Sequence, residues 1–419
     1  MIFSSLDLAP EIQKAIDECG YKEMTPIQEK AIIPARRGKD ILANAQTGTG
    51  KTAAFTLPIL QLMQSQSAEY IEGKTISLIL TPTRELAEQL AESVNRYAQY
   101  LSFSIISLYG GVKVSAQQKK LKNNINIIVS TPGRLLEHLT LGNVDLSHVQ
   151  FLVLDEADRM LDMGFNEEVT ALLQKLPTKR QTFMFSATLS EPVKQLAKSI
   201  LRNHEVVSVA KQNATADTVE HVVYPVSEQM KSELFVELID RYNWFKVLVF
   251  TSTKSQADEL KIKLKEVGIK AGLVHGDKSQ GSRRRALADF NDDKMQVLIS
   301  TEITARGLNI KSLDHVVNYN LPFLAEDYIH RIGRTGRAGN KGEAISFVSR
   351  EEERNLDNIQ RLIGYKIKRI NLAGYEVGSR DVLLDTISKT KRALPSNKAR
   401  QLKNIHKQAD KAKSKNKKK

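Results

Sequence analysis

Short β-branched and aliphatic runs recur along the chain, each followed directly by a polar or glycine-containing turn, with helical patterns of ten to fifteen residues between them. That alternation is the pattern of an α/β fold. In the first half it predicts strands at Asp40–Ala43, Ile76–Leu80, Ile105–Leu108, Ile127–Val129, Phe151–Leu154 and Thr182–Phe185. In the second half it predicts Val247–Phe250, Gly272–Val274, Val297–Ser300, His315–Val317 and Ala344–Val348. Runs this apolar suit parallel strands buried on both faces. Between the halves, Ala210–Thr218 is small, polar and without an apolar face, which predicts a linker. The polar turns QTGTGKT, TPTREL, YGG, TPGR, DEAD, SAT, TST, HGD and TEITARG nearly all follow a predicted strand. In open parallel sheets ligands bind outside the carboxyl ends of the strands, so one edge of each half is expected to carry the chemistry.

With 419 residues, 41% apolar and 26% charged, the chain has material for two or three domains, each with its own core. Its longest apolar runs, such as Phe151–Leu154 and Val247–Phe250, fall far short of the roughly 20 residues that span a bilayer. The first twenty residues have neither a basic start nor an apolar stretch of signal-peptide type, so a cytoplasmic location is expected. Cys19 is the only cysteine, which excludes an intrachain disulfide and a thiolate zinc site. Charge is distributed unevenly. Residues 390–419 hold twelve Lys/Arg and one Asp, a net +11 that leaves only +3 of the total +14 for the rest. A run of this kind attracts polyanions, nucleic acid above all.

Ala45-Gln46-Thr47-Gly48-Thr49-Gly50-Lys51-Thr52 joins a predicted strand to a helical stretch, Ala53 to Leu60, as a phosphate-cradling loop requires. Its glycines let backbone N–H groups approach phosphates, Lys51 reaches the β and γ oxygens, and the Thr52 hydroxyl is a magnesium ligand. Asp155-Glu156-Ala157-Asp158 ends the strand Phe151–Leu154. There Asp155 is placed to hold the magnesium while Glu156 orients or deprotonates a water. Arg331, Arg334 and Arg337, spaced three apart with glycines interleaved, are expected to converge on one anion and to stabilise charge on a γ-phosphate from the second half. No Cys/His cluster accompanies His330, so it does not read as a metal ligand, and Trp244 reads as packing.

In this order the segments resemble the DEAD-box ATP-dependent RNA helicases of helicase superfamily 2, over roughly residues 3 to 350. AQTGTGKTAAFTLPIL and HGDKSQGSRRRALADF look most like the bacterial RhlE type. The resemblance implies two tandem RecA-like parallel-sheet domains, with ATP and Mg²⁺ in the cleft and RNA running across both. Residues 1–209 would form the first, 210–218 the linker, 219–372 the second and 373–419 a basic, disordered extension. The segment from Gly20 to Gln28 resembles the adenine-reading Q motif, with Gln28 on the adenine edge, Phe3 stacked on the ring and Tyr21 beside it. RNA contacts carried over from the family are Pro82, Thr83, Arg84, Gly111, Thr131, Pro132 and Arg134 in the first domain. In the second they are Thr251, Gly276, Gln280, Arg283 and Thr301. Hydroxyls, backbone N–H groups and arginines at strand ends suit a sugar-phosphate backbone and none reads base identity.

Ser186-Ala187-Thr188 resembles the segment coupling hydrolysis to strand separation through Asp158 and His330, with Arg331 beside them. Motif V departs from the family pattern. Glu302 and Thr304 stand where Asp and Ala are usual, and Asn309 replaces an Asp that lies, with Gly307, near the nucleotide. Asn320 stands where Asp or Glu is common. The implied protein is a monomeric RNA-stimulated ATPase that pries apart short duplexes, on ribosomal precursors or RNA-decay intermediates. An ATP-gated RNA clamp and a double-stranded DNA translocase of the same superfamily are the alternatives.

Overall fold

The computed structural model describes residues 1–45, 48–66, 72–209, 219–301, 310, 313–335 and 342–375. Among these, fourteen strands form two separate seven-stranded sheets in which every pair is parallel. The first sheet holds β1 (Ile41–Asn44), β2 (Ser77–Leu80), β3 (Ile105–Leu108), β4 (Ile127–Ser130), β5 (Phe151–Leu154), β6 (Gln181–Ser186) and β7 (Glu205–Ser208), in the order β3-β4-β2-β5-β6-β1-β7. The second holds β8 (Val219–Pro225), β9 (Val247–Thr251), β10 (Ala271–Val274), β11 (Val297–Thr301), β12 (His315–Asn318), β13 (Gly342–Val348) and β14 (Lys368–Arg369), in the order β10-β11-β9-β12-β13-β8-β14. This is the two-sheet α/β architecture expected of tandem RecA-like domains, and the sheets define two lobes.

Every strand predicted from the apolar runs is present, with its ends within two residues. Three strands were not expected: β7, β8 and β14. β7 is an edge strand with only Val207 buried, and in β8 Glu220 and His221 interrupt the apolar run. The predicted linker, 210–218, and the extension beyond Tyr375 lie outside the described residues.

Both faces of each sheet are covered because alternate strand residues are apolar in both directions. In the first lobe Ile79 and Val153 pack toward α1 (Pro10–Glu18), α2 (Pro26–Arg36), α3 (Lys51–Gln64) and α4 (Arg84–Tyr97). Leu78, Leu80, Leu152 and Leu154 pack toward the opposite layer. That layer is α6 (Pro132–Thr140), α7 (Ala157–Asp162), α8 (Asn166–Lys175) and α9 (Glu191–Ile200), while α5 (Val114–Leu121) lies beside β3. In the second lobe α10 (Lys231–Tyr242) and α11 (Lys254–Glu266) cover one face. α12 (Gln280–Asn291), α13 (Ala325–Ile332) and α14 (Glu353–Ile363) cover the other. Trp244 is buried and packs edge-on against His315, and half-buried Cys19 caps the end of α1.

Candidate active site between the sheets

β5, β6 and β1 are adjacent in the first sheet, with Asn44 in register with Ser186 and Leu154 with Met184. Since neighbouring strands lie about 4.8 Å apart, the turns after them share one crevice although more than a hundred residues separate the turn after β1 from the other two. Ala45 donates its backbone N–H to the Ser186 carbonyl at 2.9 Å. Gly48 and Gly50 take φ of +83° and +93°, and α3 starts at Lys51, so unpaired N–H groups of a helix N-terminus open onto the crevice. Thr49 belongs to this turn, whereas Gln46 and Thr47 lie outside the described residues.

Lys51 is 6% exposed, and its Nζ lies 3.3 Å from Asp155 Oδ1 without the alignment of a hydrogen bond. Burial alone would lower the ammonium's pKa. The carboxylates of Asp155, Glu156 and Asp158 outweigh that effect and hold it above its ordinary value. A buried, charged ammonium with donors unspent at a helix N-terminus fits a phosphate. The half-buried Thr52 hydroxyl and the Asp155 carboxylate are the hard oxygen donors that Mg²⁺ takes. Among the described residues no three metal-ligating side chains converge, so phosphate oxygens and water would complete such a cation's shell.

α2 begins at Pro26 after Thr25, and the Thr25 backbone N–H donates to Gln28 Oε1 at 2.8 Å. Gln28 Nε2 donates to the Gly50 carbonyl at 3.1 Å, tying the Q segment to the phosphate loop. The amide keeps a second N–H and a second lone pair, enough for the two edge contacts adenine offers. A Cβ at Gly50 would stand 2.5 Å from Gln28 Nε2 and 2.9 Å from Thr25 Oγ1. Gly50→Ala is therefore expected to weaken ATP binding in the absence of RNA by about 1–3 kcal/mol, roughly 5- to 150-fold. Titration with a fluorescent ATP analogue checks this, and parental affinity would show that the Gln28 contact is dispensable. Phe3 is only 1% exposed and stacks on Tyr21, with ring centroids 6.0 Å apart. Tyr21, 36% exposed, presents the more accessible ring.

Glu156 sits at φ +54°, ψ +51°, a left-handed conformation that costs a non-glycine residue about 1–2 kcal/mol. Asp155 Oδ1 accepts its backbone N–H at 3.1 Å. Burial raises the Glu156 pKa. Lys51 opposes this, Asp155 adds to it, and His330 and Arg334 of the second lobe oppose it, leaving the carboxyl above its ordinary value. Asp158 Oδ2 accepts from the Ala187 and Thr188 backbone N–H groups at 3.1 and 2.9 Å and from the Thr188 hydroxyl at 3.1 Å. The Ser186 hydroxyl donates to the Thr188 carbonyl at 2.6 Å.

The second lobe brings His330 and Arg334 to this crevice, but the expected three-arginine convergence needs correction. Arg331 points into its own lobe, 3% exposed, donating to Asn318 Oδ1 and the Asn320 carbonyl at 3.1 and 2.6 Å. Its guanidinium stacks 5.0 Å from the Phe250 ring. The cause is helical phase: Arg331 lies in the last turn of α13, on the face that meets the sheet, and Arg334 lies past the helix end. Arg337, Gly307 and Asn309, with Glu302 and Thr304, lie outside the described residues. The family resemblance also implied contact between residues 186–188 and His330. Among the described residues, the hydrogen bond from the first lobe to His330 comes from Arg159.

The segments expected to hold RNA follow the adjoining strand ends. Thr83 caps α4, Thr131 precedes Pro132 at the start of α6, and Pro82 is buried between β2 and α4. A Cβ at Gly111 would stand 1.8 Å from Arg84 Nη1, so only glycine admits that guanidinium. Arg134 donates to Gln117 Oε1 and the Val112 carbonyl at 3.1 and 3.0 Å. Opposite, Thr251 and Thr301 end β9 and β11, and Gly276 is exposed after β10. Arg283 on α12 pairs with Glu85 on α4, both buried. Gln280 donates to Glu88 at 3.3 Å. Asn320 donates to Glu228 Oε1 at 3.0 Å and accepts from the Ser252 N–H at 3.1 Å. An Asp there would set a carboxylate against Glu228, which accounts for the amide.

Sequence reasoning overlooked Arg159, Asp327, Glu88 and Arg284. Arg159 donates to Asp327 across the cleft at 2.6 Å, and Arg284 pairs with Glu88, to which Tyr109 also donates. Burial would raise the Glu88 pKa, but hydrogen bonds from Arg284, Tyr109 and Gln280 hold it below its ordinary value. The only local signal was Arg159 three residues before Asp162, an ordinary helix-surface spacing.

Comparison with known proteins agrees with this geometry. Residues 25–196 match the family described as DEAD/DEAH box helicase, and residues 230–339 match the helicase conserved C-terminal domain. The DEAD-box ATP-dependent RNA helicase CshA of Geobacillus kaustophilus is 38% identical over 368 residues, 88% of this chain and 78% of that protein. RhpA of Helicobacter pylori, of the same description, is 40% identical over 366 residues, 87% of this chain and 73% of that protein. Among solved structures, Saccharomyces cerevisiae Dbp5 bound to RNA and ADP BeF3 superposes with a TM-score of 0.78 at 33% identity, covering 88% of this chain and 95% of that one. With both lobes matched in order and the motifs gathered in one cleft, this chain belongs to the DEAD-box family of ATP-dependent RNA helicases.

Proposed function

We propose that the chain closes its lobes on ATP and single-stranded RNA and couples RNA-stimulated hydrolysis to local separation of short duplexes or remodelling of RNA–protein particles, with little sequence preference. The observation that carries this reading is the composite site: Lys51, Asp155 and Glu156 belong to one lobe, and the His330 and Arg334 that act electrostatically on Glu156 belong to the other. Glu156 positions and deprotonates the attacking water. Lys51 binds the β- and γ-phosphates, and Arg334, with Arg337, neutralises charge on the γ-phosphate. Thr52 and Asp155 would hold Mg²⁺, which when bound screens the phosphate charge. Gln28 reads the adenine edge beside Tyr21 and Phe3.

The RNA backbone would lie along Pro82, Thr83, Arg84, Gly111, Thr131, Pro132 and Arg134 and cross to Thr251, Gly276, Gln280, Arg283 and Thr301. The Dbp5 structure, which holds RNA and ADP BeF3 on a similar fold, supports this reading. We place the protein in the cytoplasm as a monomer acting on ribosomal precursors or decay intermediates. Among the described residues no helix is long and apolar enough to cross a membrane. Steady-state ATP hydrolysis with and without RNA tests the proposal, with strong stimulation expected. A rate near background, with RNA retention promoted by an ATP analogue, would make the protein a clamp. Equal stimulation by duplex DNA would make it a DNA translocase.

The basic run at 390–419 is expected to add non-specific RNA affinity. It contains no aromatic residue for base stacking, so its contribution is electrostatic. Deleting it should weaken RNA binding at low salt and flatten the salt dependence by about 0.7 logarithmic units for each phosphate that the tail neutralises. An unchanged affinity and slope would exclude the tail from RNA binding.

A further inference from the structure

Arg159 follows the Asp158 that binds residues 187 and 188, yet its own side chain looks across the cleft. Its side chain is 6% exposed and its guanidinium reaches three groups. Nη1 donates to Asp162 Oδ2 on its own helix at 3.2 Å. Nη2 donates to Asp327 Oδ1 at 2.6 Å and to His330 Nδ1 at 3.2 Å, both on α13 of the second lobe. The two carboxylates differ in environment: the Asp162 side chain is 44% exposed and that of Asp327 only 10%. The pair within the helix is wet and weak, whereas the pair across the cleft is dry and demands good geometry.

A guanidinium has donors only and stays protonated, so the nitrogen facing it must offer a lone pair. His330 Nδ1 is then the acceptor, and Nε2–H is the only ring donor left. His330 is also, with Arg334, one of the second-lobe groups that neighbour Glu156.

We infer that Arg159 is a positioning residue for hydrolysis: by pairing with Asp327 across the closed cleft it holds His330 in the Nε2–H tautomer. The inference rests on the two-lobed hydrolysis proposed above. Among the described residues no hydrogen bond or ion pair links Arg159 to the phosphate loop or to the expected RNA contacts, so its effect reaches the reaction through His330 and lobe closure.

The test uses the full chain and the variants Arg159→Met, which keeps length without charge, and Arg159→Lys, which keeps one cation. Binding of a fluorescent ATP analogue without RNA should stay within about twofold of the parent in both. RNA-stimulated kcat should fall roughly tenfold or more in the Met variant, with a higher half-saturating RNA concentration, and recover in part in the Lys variant. The ¹⁵N shifts of His330, recorded with RNA and ADP–beryllium fluoride, should report Nε2–H in the parent and mixed tautomers in the Met variant. Parental kcat with parental His330 shifts in Arg159→Met would overturn the inference. So would an equal loss of RNA-independent nucleotide binding, which would make Arg159 a packing residue. A parent without RNA stimulation would sink the proposed function instead, while the His330 shifts, read without turnover, would still decide the tautomer.

Discussion

Glu156→Gln is expected to lower RNA-stimulated ATP turnover by roughly 10²- to 10⁴-fold, the usual worth of a positioned general base, with ATP and RNA binding near parental levels. The reason is the setting of the carboxylate. It stands next to Asp155, held in a left-handed turn by the hydrogen bond from its own N–H to Oδ1 of that residue. Burial holds its pKa above the ordinary value against the opposing charges of Lys51 and Arg334, which makes it a better proton acceptor than an exposed glutamate. Glutamine keeps the shape and can still hydrogen-bond a water, but it cannot take the proton. Phosphate release by parent and variant at saturating RNA measures the effect. A variant that turns over at the parental rate would remove Glu156 from the chemistry and leave Asp155 as the candidate base.

Replacing Lys231 with Met should cost the second lobe about 3–5 kcal/mol, as expected when one member of a buried ion pair is removed. Lys231 is fully buried, with Nζ 2.6 Å from Glu352 and 2.7 Å from Glu228. It is the first residue of α10, a helix end that by itself disfavours a cation. Tertiary pairing offsets that. Glu352 also accepts the Leu321 and Ser349 N–H groups at 2.9 and 3.0 Å, and Glu228 accepts from Asn320. Without the ammonium, the Glu352 carboxylate, 14% exposed, loses its cation, while Glu228, 42% exposed, keeps water around it. Denaturant unfolding should then show an earlier transition for the second lobe, with nucleotide affinity of the first lobe unchanged. A loss under about 1 kcal/mol would give the cluster no more weight than a surface ion pair.

What could be read along the chain was whatever chemistry demands within a few consecutive residues. A phosphate loop needs its glycines, Lys51 and Thr52 contiguous at a strand end, and the acidic turn needs an apolar strand before it, so both were legible together with the strands that aim them. Arg331 shows where local reading stopped. Spacing alone allowed it to join Arg334, but the register of α13 against the sheet sent it under Phe250. β7 and β8 were missed for a related reason: one buries a single side chain at a sheet edge, and the other carries Glu220 and His221 inside its run.

The sequence by itself determined the class of fold, the identity of the nucleotide-binding groups and the basic character of the tail, because periodicity, turn chemistry and charge are properties of neighbouring residues. Only the tertiary structure decided how the halves meet. Arg159 finds Asp327 168 residues away, and Arg284 finds Glu88 at a separation of 196. An ion pair needs its members within about 4 Å, and no local pattern encodes that proximity. It follows from strand order and helix phase in two sheets at once, which is why the composite part of the site became visible only when both lobes were in place.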